Sequence, residues 1–408
     1  MTERLFRGRV VTADAVIDDG VVITRGERIE WVGPASDRFD SGIVSDRSDS
    51  GIVSDRSDSG IESDRSDGGP ATPLTLLPGM VDVHCHGGGG VGFPDATADS
   101  APTAVRFHRR RGTTTMLASL VSAPADVLVR QTSALATLWH SGDIAGVHLE
   151  GPFLAVSRCG AQDPASIVPV DVEMLDRVLT AGQGAVRSMT FAPETDGVDH
   201  LIDLLARHDV RGSLGHTDTD ARTVTDVARR LTGPVSATHL FNGMPPFHHR
   251  APGPVAACLA AAARGEMMLE LIGDGVHLDP ETVRAVVDLV GPDRVAFVSD
   301  AMAAAGVADG PYRLGALDVT VTDGVARLTS GGAIAGGTST VLDIVRRAVE
   351  ESGVDLVSAV RMGSATPARF LGLENTLGRL EAGLRADLVI TDDRLAPVGV
   401  VRAGEDVD

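Results

Sequence analysis

Short apolar and β-branched runs recur along the chain and predict a series of strands. Eight of them follow residue 78, over 80–84, 113–120, 145–151, 188–194, 212–217, 235–241, 267–275 and 294–301. Between them lie segments such as 170–182 and 280–291, where leucine and valine recur at the spacing that places apolar side chains on one helix face. Strands that alternate with helices favour a parallel sheet with crossover helices. Eight such units predict a (β/α)8 barrel.

The two ends of the chain have a different pattern. Residues 1–33 and 378–392 consist of short strand-like runs joined by glycine and aspartate turns. We expect them to combine into a small β-sandwich beside the barrel. The predicted domains are a sandwich built from residues 1–77 and 375–408, and a barrel over 78–374. Residues 312–329 predict a hairpin inserted after the eighth strand.

A nine-residue repeat interrupts the first of these regions. Residues 41–67 read SGIVSDRSD, SGIVSDRSD and SGIESDRSD. One or two aliphatic side chains per repeat are too few for solenoid units, which need an apolar face on every unit to stack. Small and charged residues of this kind predict a flexible loop insertion without a catalytic role.

Charge and composition narrow the classes of function. The 408 residues carry a formal net charge of -20, which argues against nucleic acid or an anionic membrane as a partner. No run has the length of a membrane span, and the first residues lack the apolar stretch of a signal peptide, so we expect a soluble cytoplasmic protein. The three cysteines suggest neither a disulfide framework nor a CxxC metal site, and we expect them to be buried.

All 36 basic residues are arginine, and the sequence contains no lysine. This excludes a Schiff-base lysine and a phosphate-loop lysine. It also excludes a carbamylated lysine that bridges two metal ions. An anionic group of a substrate must therefore be held by arginine.

Titratable residues concentrate where the predicted strands end. The side chains at or just past the C-terminal strand ends are His84, His86, Glu150, Glu194, His216, His239, Asp274 and Asp300. In a (β/α)8 barrel these ends meet at one mouth, where active sites form. We therefore expect the functional site at that mouth.

Two sets of these residues suggest metal ligands. His84 and His86 end the first strand two residues apart, so both imidazoles point to the same face and can reach one ion; structural histidines are the alternative. Glu150, His216 and His239 close three further strands. A carboxylate there is costly unless it binds a cation or pairs with an arginine. Glutamate, two histidines and a water are the ligand set of an open hydrolytic zinc site.

Three further residues suggest a hydrolytic reaction on a phosphorylated substrate. Asp300 follows the eighth strand, where it can take a proton from the attacking water and pass it to a leaving amine, or cap the next helix. His277 can donate to a carbonyl oxygen as charge develops, or be an ordinary loop histidine. Arg250 can bind a phosphate as a planar fork, or remain a solvated arginine.

Several segments together resemble one known family. LLPGMVDVHCHG, GVHLEGPF, LGHTDTD, THLFNGMPPFHHRAPG, IGDGVHLD, VSDAM and GRLEAGLRADLVI are similar to the N-acetylglucosamine-6-phosphate deacetylases of the amidohydrolase superfamily. The resemblance covers nearly the whole chain and is most specific from HLEGPF to HLFNGMPPFHHR. It implies the barrel with its sandwich, and hydrolysis of N-acetyl-D-glucosamine 6-phosphate to D-glucosamine 6-phosphate and acetate, in amino-sugar catabolism and cell-wall recycling.

The resemblance also implies roles for individual residues. The implied ligands of the catalytic metal are Glu150, His216 and His239, with His84 and His86 holding a second ion or none. Asp300 would be the general acid and base, His277 would bind the carbonyl and Arg250 the phosphate. Further substrate contacts are implied for Asn242, Gly243, Ala161, Gln162 and His249. Zinc is the expected ion, with iron or another divalent ion as alternatives, at one or two per subunit.

The resemblance further implies a homodimer, because the phosphate-binding loop of this family can come from the neighbouring subunit. Two features depart from the family: Gly243 stands where alanine is usual, and the nine-residue repeat has no counterpart. One alternative function is a related deacetylase or D-aminoacylase that acts on a non-phosphorylated N-acyl substrate. Another is a non-catalytic scaffold of the same fold, although every proposed ligand is present.

Overall fold

The computed structural model describes residues 2–39 and 74–408, so the nine-residue repeat lies outside the described residues. The strands in chain order are β1 (Glu3–Val11), β2 (Val16–Arg25), β3 (Arg28–Pro34), β4 (Thr75–Pro78), β5 (Met80–Asp82), β6 (Gly87–Gly88), β7 (Val91–Gly92), β8 (Thr113–Leu120), β9 (Gly146–Glu150), β10 (Val186–Phe191), β11 (Arg211–Leu214), β12 (Ser236–Ala237), β13 (Met268–Leu271), β14 (Val295–Phe297), β15 (Gly310–Leu314), β16 (Leu317–Thr322), β17 (Val325–Leu328), β18 (Leu388–Thr391), β19 (Pro397–Arg402) and β20 (Glu405–Asp406). The α-helices are α1 (Ala35–Phe39), α2 (Ala101–Arg110), α3 (Ala125–His140), α4 (Val172–Gly182), α5 (Val198–Arg207), α6 (Ala221–Ala228), α7 (Gly253–Ala263), α8 (Pro280–Val290), α9 (Val341–Glu350), α10 (Leu356–Gly363) and α11 (Ala365–Phe370).

Eight parallel strands form the predicted barrel. Their order in the sheet is sequential, from β5 through β8, β9, β10, β11, β12 and β13 to β14. Helices α2 to α8 follow the first seven strands, and α9 follows β14 after an insertion. Every residue of β8 is buried, as expected of a parallel strand covered on both faces. The eight predicted strands are all present and the (β/α)8 prediction is confirmed, although several strands are shorter than predicted.

Helix α4 illustrates how the outer helices begin and how they pack against the barrel. Helix α4 begins where the Asp171 carboxylate accepts a hydrogen bond from the Met174 backbone N–H at 2.9 Å, which satisfies an otherwise free donor of the first turn. Its buried side chains include Met174, Leu175, Val178 and Leu179. This spacing puts one apolar stripe of the helix against the barrel.

The barrel closes between β5 and β14 through side chains and loop backbone. Ser299 donates from its hydroxyl and its backbone N–H to the Asp82 carboxylate. One step further along, the Asp300 N–H donates to the His84 carbonyl oxygen at 2.9 Å. Burial raises the pKa of Asp82 to about 6 even though Ser299 donates to it. This seam brings His84 next to Asp300 at the barrel mouth.

The two ends of the chain form one seven-stranded sheet beside the barrel. Its order is β20, β19, β18, β4, β1, β2 and β3. Strand β4 lies parallel to β1 and antiparallel to β18, and so joins the N-terminal strands to the C-terminal ones. The buried side chains of this sheet include Phe6, Val22, Leu76 and Leu388. The expected small domain is thus a single sheet, and the boundaries 1–77, 375–408 and 78–374 stay a prediction.

A three-stranded antiparallel sheet of β15, β16 and β17 follows the eighth barrel strand. It has one strand more than the hairpin predicted over 312–329. Leu314, Val319 and Val321 pack with Val121 and Met302 in its core. After β17 the chain returns to the barrel at Gly337, whose N–H donates to the Asp300 carbonyl oxygen at 2.6 Å. The insertion therefore ends beside the barrel mouth.

Two expectations from composition can be compared with the structure. All three cysteines are free, with Cys85 and Cys258 buried as expected and Cys159 partly exposed. Within residues 2–39 and 74–408, no helix is long and apolar enough to cross a membrane.

Candidate active site

A cavity of about 260 Å³ lies at the C-terminal ends of the barrel strands. The predicted site residues that line it are His86, Glu150, Ala161, Gln162, His216, His239, Asn242, Gly243, His277 and Asp300. His84 is fully buried and contacts several of them from behind. The barrel strands thus bring together side chains from distant parts of the chain, as for His84 and Asp300, whose Nε2 and Oδ1 atoms lie 3.4 Å apart.

Glu150 is the centre of the cluster. Its Oε1 lies 3.0 Å from Nε2 of His216 and 3.0 Å from Nε2 of His239, and the three side chains are at most 7% exposed. Burial alone would raise the pKa of Glu150, but the charge of His84 and the hydrogen bonds from the other two histidines lower it well below its usual value. One carboxylate and two imidazoles therefore converge in a buried position that could hold a metal ion.

His84 and His86 lie near the same carboxylate. His86 Nε2 is 3.2 Å from Glu150 Oε2, and the Nε2 atoms of the two histidines are 3.1 Å apart. Asp300 Oδ1 lies 3.4 Å from His84 Nε2 and 3.3 Å from His86 Nε2. The two histidines and Glu150 form a second group that could hold an ion, so Glu150 is shared by both groups.

The outer nitrogens of these rings show how well the site fits a cation. Nδ1 of His216 lies 2.8 Å from the Arg158 carbonyl oxygen, and Nδ1 of His86 lies 3.2 Å from that of Ser119. A carbonyl oxygen only accepts, so the proton of each neutral ring is on Nδ1 and Nε2 presents a lone pair to Glu150. Two facing lone pairs repel unless a proton or a cation lies between them. Buried nitrogen and oxygen donors of this kind, with the rings of His86 and His216 braced from behind, suit a divalent cation.

The pKa shifts of the histidines have the same origin. Burial would lower the pKa of both His86 and His216. The pKa of His86 is nevertheless raised, because the ring hydrogen-bonds to Asp300 and Glu150. The pKa of His216 is raised by its hydrogen bond to Glu150. For His84, burial is likewise outweighed by the charge of Glu150, and its pKa is well above the usual value. The carboxylates of Glu150 and Asp300 thus stabilise positive charge on the histidine cluster around them.

Three residues at the mouth have a left-handed backbone conformation. The φ angles are 48° at His216, 27° at His239 and 45° at Asp300. Residues with a Cβ rarely adopt this conformation, and such strain concentrates at functional sites. Gly243 also has a positive φ, and an added Cβ there would lie 3.0 Å from Nδ1 of His216. Glycine at this position therefore lets the loop approach the ring closely.

Asp300 and His277 both line the cavity, and their pKa values are shifted in opposite directions. Burial would raise the pKa of Asp300, but the hydrogen bond from His86 and the charge of His84 lower it to about 2. His277 Nδ1 lies 2.8 Å from Asp274 Oδ2, while Oδ1 accepts from the backbone N–H groups of Val276 and His277. Burial would lower the pKa of His277, but this bond to Asp274 raises it. Asp300 is therefore held in the ionised form that can accept a proton, and His277 is favoured as a donor.

Gln162 and Asn242 contact the proposed ligands directly. The side-chain amide of Gln162 donates to Glu150, and its oxygen accepts from the Ser122 N–H at 2.7 Å. The Asn242 amide donates to the His239 carbonyl oxygen at 3.1 Å. These two residues thus brace the cluster as well as lining the cavity, and their substrate contacts stay a prediction.

Arg250 and His249 do not reach the cavity of their own chain. Both are exposed, and Arg250 Nη1 lies 2.7 Å from His249 Nε2. Phe247 in the same loop is 60% exposed. Among the described residues, the cavity lining includes no arginine. The loop of a single chain therefore leaves the predicted phosphate contact unmade, and the role of Arg250 stays a prediction.

Sequence reasoning missed three contributions to the site. Glu270 in β13 is buried, with Oε2 3.2 Å from Nδ1 of His84. Its signal was a glutamate inside the apolar run MMLELIG. Asp274 was placed at a strand end but not paired with His277, three residues further on. The third contribution is a wall of the cavity from the inserted sheet and the loop that follows it, formed by Leu314, Ala333, Ile334 and Gly336.

Comparisons with known proteins agree with this geometry. The sequence profile described as the amidohydrolase family matches residues 75–407. The chain is 33% identical over 323 residues to N-acetylglucosamine-6-phosphate deacetylase of Bacillus subtilis (strain 168), covering 77% of this chain and 80% of that protein. It is 34% identical over 327 residues to N-acetylgalactosamine-6-phosphate deacetylase of Escherichia coli O157:H7, covering 78% and 84%.

A solved structure shows the same similarity over the full length. It is a mutant of N-acetyl-D-glucosamine-6-phosphate deacetylase from Mycobacterium smegmatis in complex with N-acetyl-D-glucosamine-6-phosphate. The TM-score is 0.86 at 38% sequence identity, with 100% of both chains covered.

Proposed function

We propose, from the premise that the chain belongs to the amidohydrolase family, that it hydrolyses N-acetyl-D-glucosamine 6-phosphate to D-glucosamine 6-phosphate and acetate, in amino-sugar catabolism and cell-wall recycling. The observation that carries the proposal is the convergence of Glu150, His216 and His239 with Asp300 at one buried cavity. Relatives at 33% and 34% identity that are named as sugar-phosphate deacetylases support the reaction. They do not favour an aminoacylase or another non-phosphorylated substrate.

The family and the donor set indicate a divalent cation held by Glu150, His216 and His239. We propose zinc as its identity, because one carboxylate and two imidazoles are ligands that catalytic zinc uses. When bound, such an ion polarises a carbonyl group and makes water more acidic. His84 and His86, together with Glu150, offer a position for a second ion.

Asp300 moves the proton in the proposed reaction. Water attacks the acetamide carbonyl carbon, and the Asp300 carboxylate accepts its proton. The C–N bond then breaks, and Asp300 returns the proton to the nitrogen of the departing amine. Because its pKa is lowered to about 2, Asp300 is ionised at neutral pH, which is the form that can accept a proton.

His277 stabilises the charge that develops on the carbonyl oxygen. Its Nδ1–H is committed to Asp274, so Nε2 is the nitrogen left to donate into the cavity. Asp274 raises the pKa of His277 against the effect of burial, which favours the ring that carries a proton on both nitrogens. A donor fixed in this way stabilises an oxyanion without reorganising during the reaction.

We propose that a second copy of the chain supplies the phosphate contact. A phosphate needs a cationic partner, and among the described residues no arginine lines the cavity. The exposed loop with Phe247, His249 and Arg250 is the candidate for the missing contact. We propose a homodimer in which the partner subunit's Arg250 binds the 6-phosphate, with His249 beside it. Location in the cytoplasm stays a prediction.

The first experiment is acetate release by metal-reconstituted protein. The substrates are N-acetylglucosamine 6-phosphate, N-acetylgalactosamine 6-phosphate and unphosphorylated N-acetylglucosamine. We expect the glucosamine phosphate to be hydrolysed fastest and the unphosphorylated sugar slowest. Arg250→Gln should raise KM for the phosphorylated sugar by about 10- to 100-fold, the loss of one or two charge-assisted hydrogen bonds.

Arg264→Gln is the matched control, because Arg264 follows the other end of helix α7 and is paired with Glu266. Equal rates on phosphorylated and unphosphorylated sugars would keep the hydrolysis but remove the phosphate site. Preference for the galactosamine phosphate would change the substrate. No acetate from any of the three would overturn the proposal.

A further inference from the structure

A buried layer of polar side chains crosses the barrel interior next to the metal-ligand cluster. Its members are Ser119, His148, Thr190, Thr238, Ser213, Ser236 and Glu270, all buried. Each contacts the next at 2.6 to 3.0 Å. The layer thus runs from one strand to the next, and none of its members lines the cavity. We call these seven residues the polar layer.

Glu270 is the only carboxylate of the polar layer. Its Oε1 accepts from the Ser236 hydroxyl at 3.0 Å, and the Ser213 hydroxyl lies 3.4 Å away. Its Oε2 lies 3.2 Å from Nδ1 of His84 and 3.4 Å from the His239 backbone N–H. A carboxylate that is 2% exposed is costly unless donors surround it. The two oxygens therefore have different partners: hydroxyls on one side and the histidine cluster on the other.

The contact with Glu270 determines which nitrogen of His84 carries the proton. The Glu270 oxygens accept from the Ser236 hydroxyl and the His239 N–H, and at 3.2 Å Oε2 is placed to accept a proton from Nδ1 of His84 as well. In the neutral ring the Nε2 atom is then unprotonated. That atom lies 3.6 Å from Glu150 Oε1 and 3.1 Å from His86 Nε2, inside the second group of candidate ligands. A carboxylate behind an imidazole also makes the ring a stronger ligand.

We propose that Glu270 is a positioning residue for the second cation position: it holds the proton of His84 on Nδ1 and so presents Nε2 as a ligand beside His86 and Glu150. The inference rests on the proposed function for the presence of cations. The sequence assigned no role to Glu270. The inference also predicts different effects of Glu270 on the two cation positions. Glu270 contacts the side chain of a ligand at the second position, whereas at the first it contacts only the backbone of His239.

The test is a titration of metal-free protein with Zn²⁺ by calorimetry, followed by elemental analysis of the gel-filtered complex. We expect wild type to bind two equivalents. Glu270→Gln keeps the shape of the side chain and removes its charge, and should weaken the second equivalent by about 10- to 100-fold. The first equivalent should change by less than about threefold. His84→Ala is the reference variant and should lose the second equivalent.

Ser236→Ala is the matched control. It removes the partner of the other oxygen of Glu270 without touching His84, and should keep both equivalents. Two equivalents of wild-type affinity in Glu270→Gln would overturn the inference, as would equal weakening of both equivalents or a single equivalent in wild type.

A second measurement does not depend on how the variants fold. In metal-free wild-type protein with ¹⁵N-labelled histidine, at a pH above the raised pKa of His84, the ring is neutral and its coupling pattern reports which nitrogen carries the proton. A proton on Nε2 instead of Nδ1 would overturn the inference. Neither measurement uses turnover, so a protein that binds two ions through Glu270 but releases no acetate would refute the proposed function alone.

Discussion

Charged residues differ in solvent exposure between the barrel mouth and the seven-stranded sheet. In the sheet, Arg7 and Asp19 pair at 2.8 Å with 49% and 61% of their side chains exposed, and Arg25 and Glu3 pair at 2.9 Å with 53% and 52% exposed. At the mouth, Glu150 and the histidines around it are at most 7% exposed. These ion pairs of the sheet are exposed to water, whereas the charged and titratable groups at the barrel mouth are buried.

The difference shows which charges serve stability and which serve chemistry. Exposed pairs contribute about 0–1 kcal/mol each and are screened by salt. Buried charges are costly unless they are paired, and replacing them with apolar groups often stabilises a fold. A buried cluster of carboxylates and imidazoles is therefore kept at a cost to stability, which its chemistry explains. Changes at the mouth should affect activity strongly, and changes in the sheet should hardly affect it.

The largest effect is expected for Glu150→Gln. Glu150 belongs to both groups of candidate ligands, so its replacement should remove both bound equivalents and reduce acetate release by more than roughly 10⁴-fold, beyond the share of a single acid-base group. Elemental analysis and initial rates measure this. Glu194→Gln is the control, since Glu194 lies at the same mouth but accepts from Thr217 and Asp218. Retention of both ions in Glu150→Gln would contradict the assignment of the ligands.

Asp300→Asn should separate chemistry from metal binding. It removes the proton acceptor, so kcat should fall by roughly 10²- to 10⁴-fold, while the ion held by Glu150, His216 and His239 stays bound. Rates are compared at equal metal content. Substantial activity of this variant would show that another group moves the proton.

Asp274→Asn should have a smaller effect that depends on pH. Asp274 raises the pKa of His277, so activity that needs a protonated His277 is lost when the pH rises through that pKa. Without the carboxylate the pKa falls, and the alkaline limb of the kcat profile should move to lower pH, with a loss of about 10- to 100-fold at neutral pH. A lower rate with an unmoved alkaline limb would point to a merely structural role.

Arg7→Ala tests the other side of the comparison and should have the smallest effect. The Arg7 and Asp19 pair is exposed, so its loss should change the free energy of unfolding by less than about 1 kcal/mol. The change should shrink further in about 0.5 M salt, and acetate release should be unaffected. Urea unfolding at two salt concentrations measures this. A loss of several kcal/mol would show that the sheet depends on its surface charges.

Much of the architecture could be predicted from the sequence because it follows from local periodicity. Buried parallel strands are continuous apolar runs, and the run 113–120 coincides with β8 at both ends. The shorter strands were overestimated, as for 235–241, where β12 has only two residues. There the chain leaves the ladder early, and His239 takes up a left-handed turn. Apolar composition alone does not show where pairing stops.

The site was predictable to the extent that it depends on strand ends. The rule that C-terminal strand ends meet at one mouth was enough to select Glu150, His216, His239 and Asp300, which line one cavity. Glu270 was not selected, because it lies within a strand, where the same rule places core residues. The role proposed for Glu270 depends on its contact with His84, which is 186 residues away in the chain.

By itself, the sequence determined the alternation of strands and helices, the absence of lysine and the set of candidate ligands, because each of these is a property of residue type and local spacing. Tertiary structure alone decided that Glu150 is shared by two groups of histidines, that Glu270 and Asp274 brace the rings from behind, and that Arg250 lies outside its own cavity. The physical reason is that proton positions and ligand geometry depend on distances of about 3 Å between distant parts of the chain. Periodicity indicates which face a side chain occupies, whereas packing determines what it touches there.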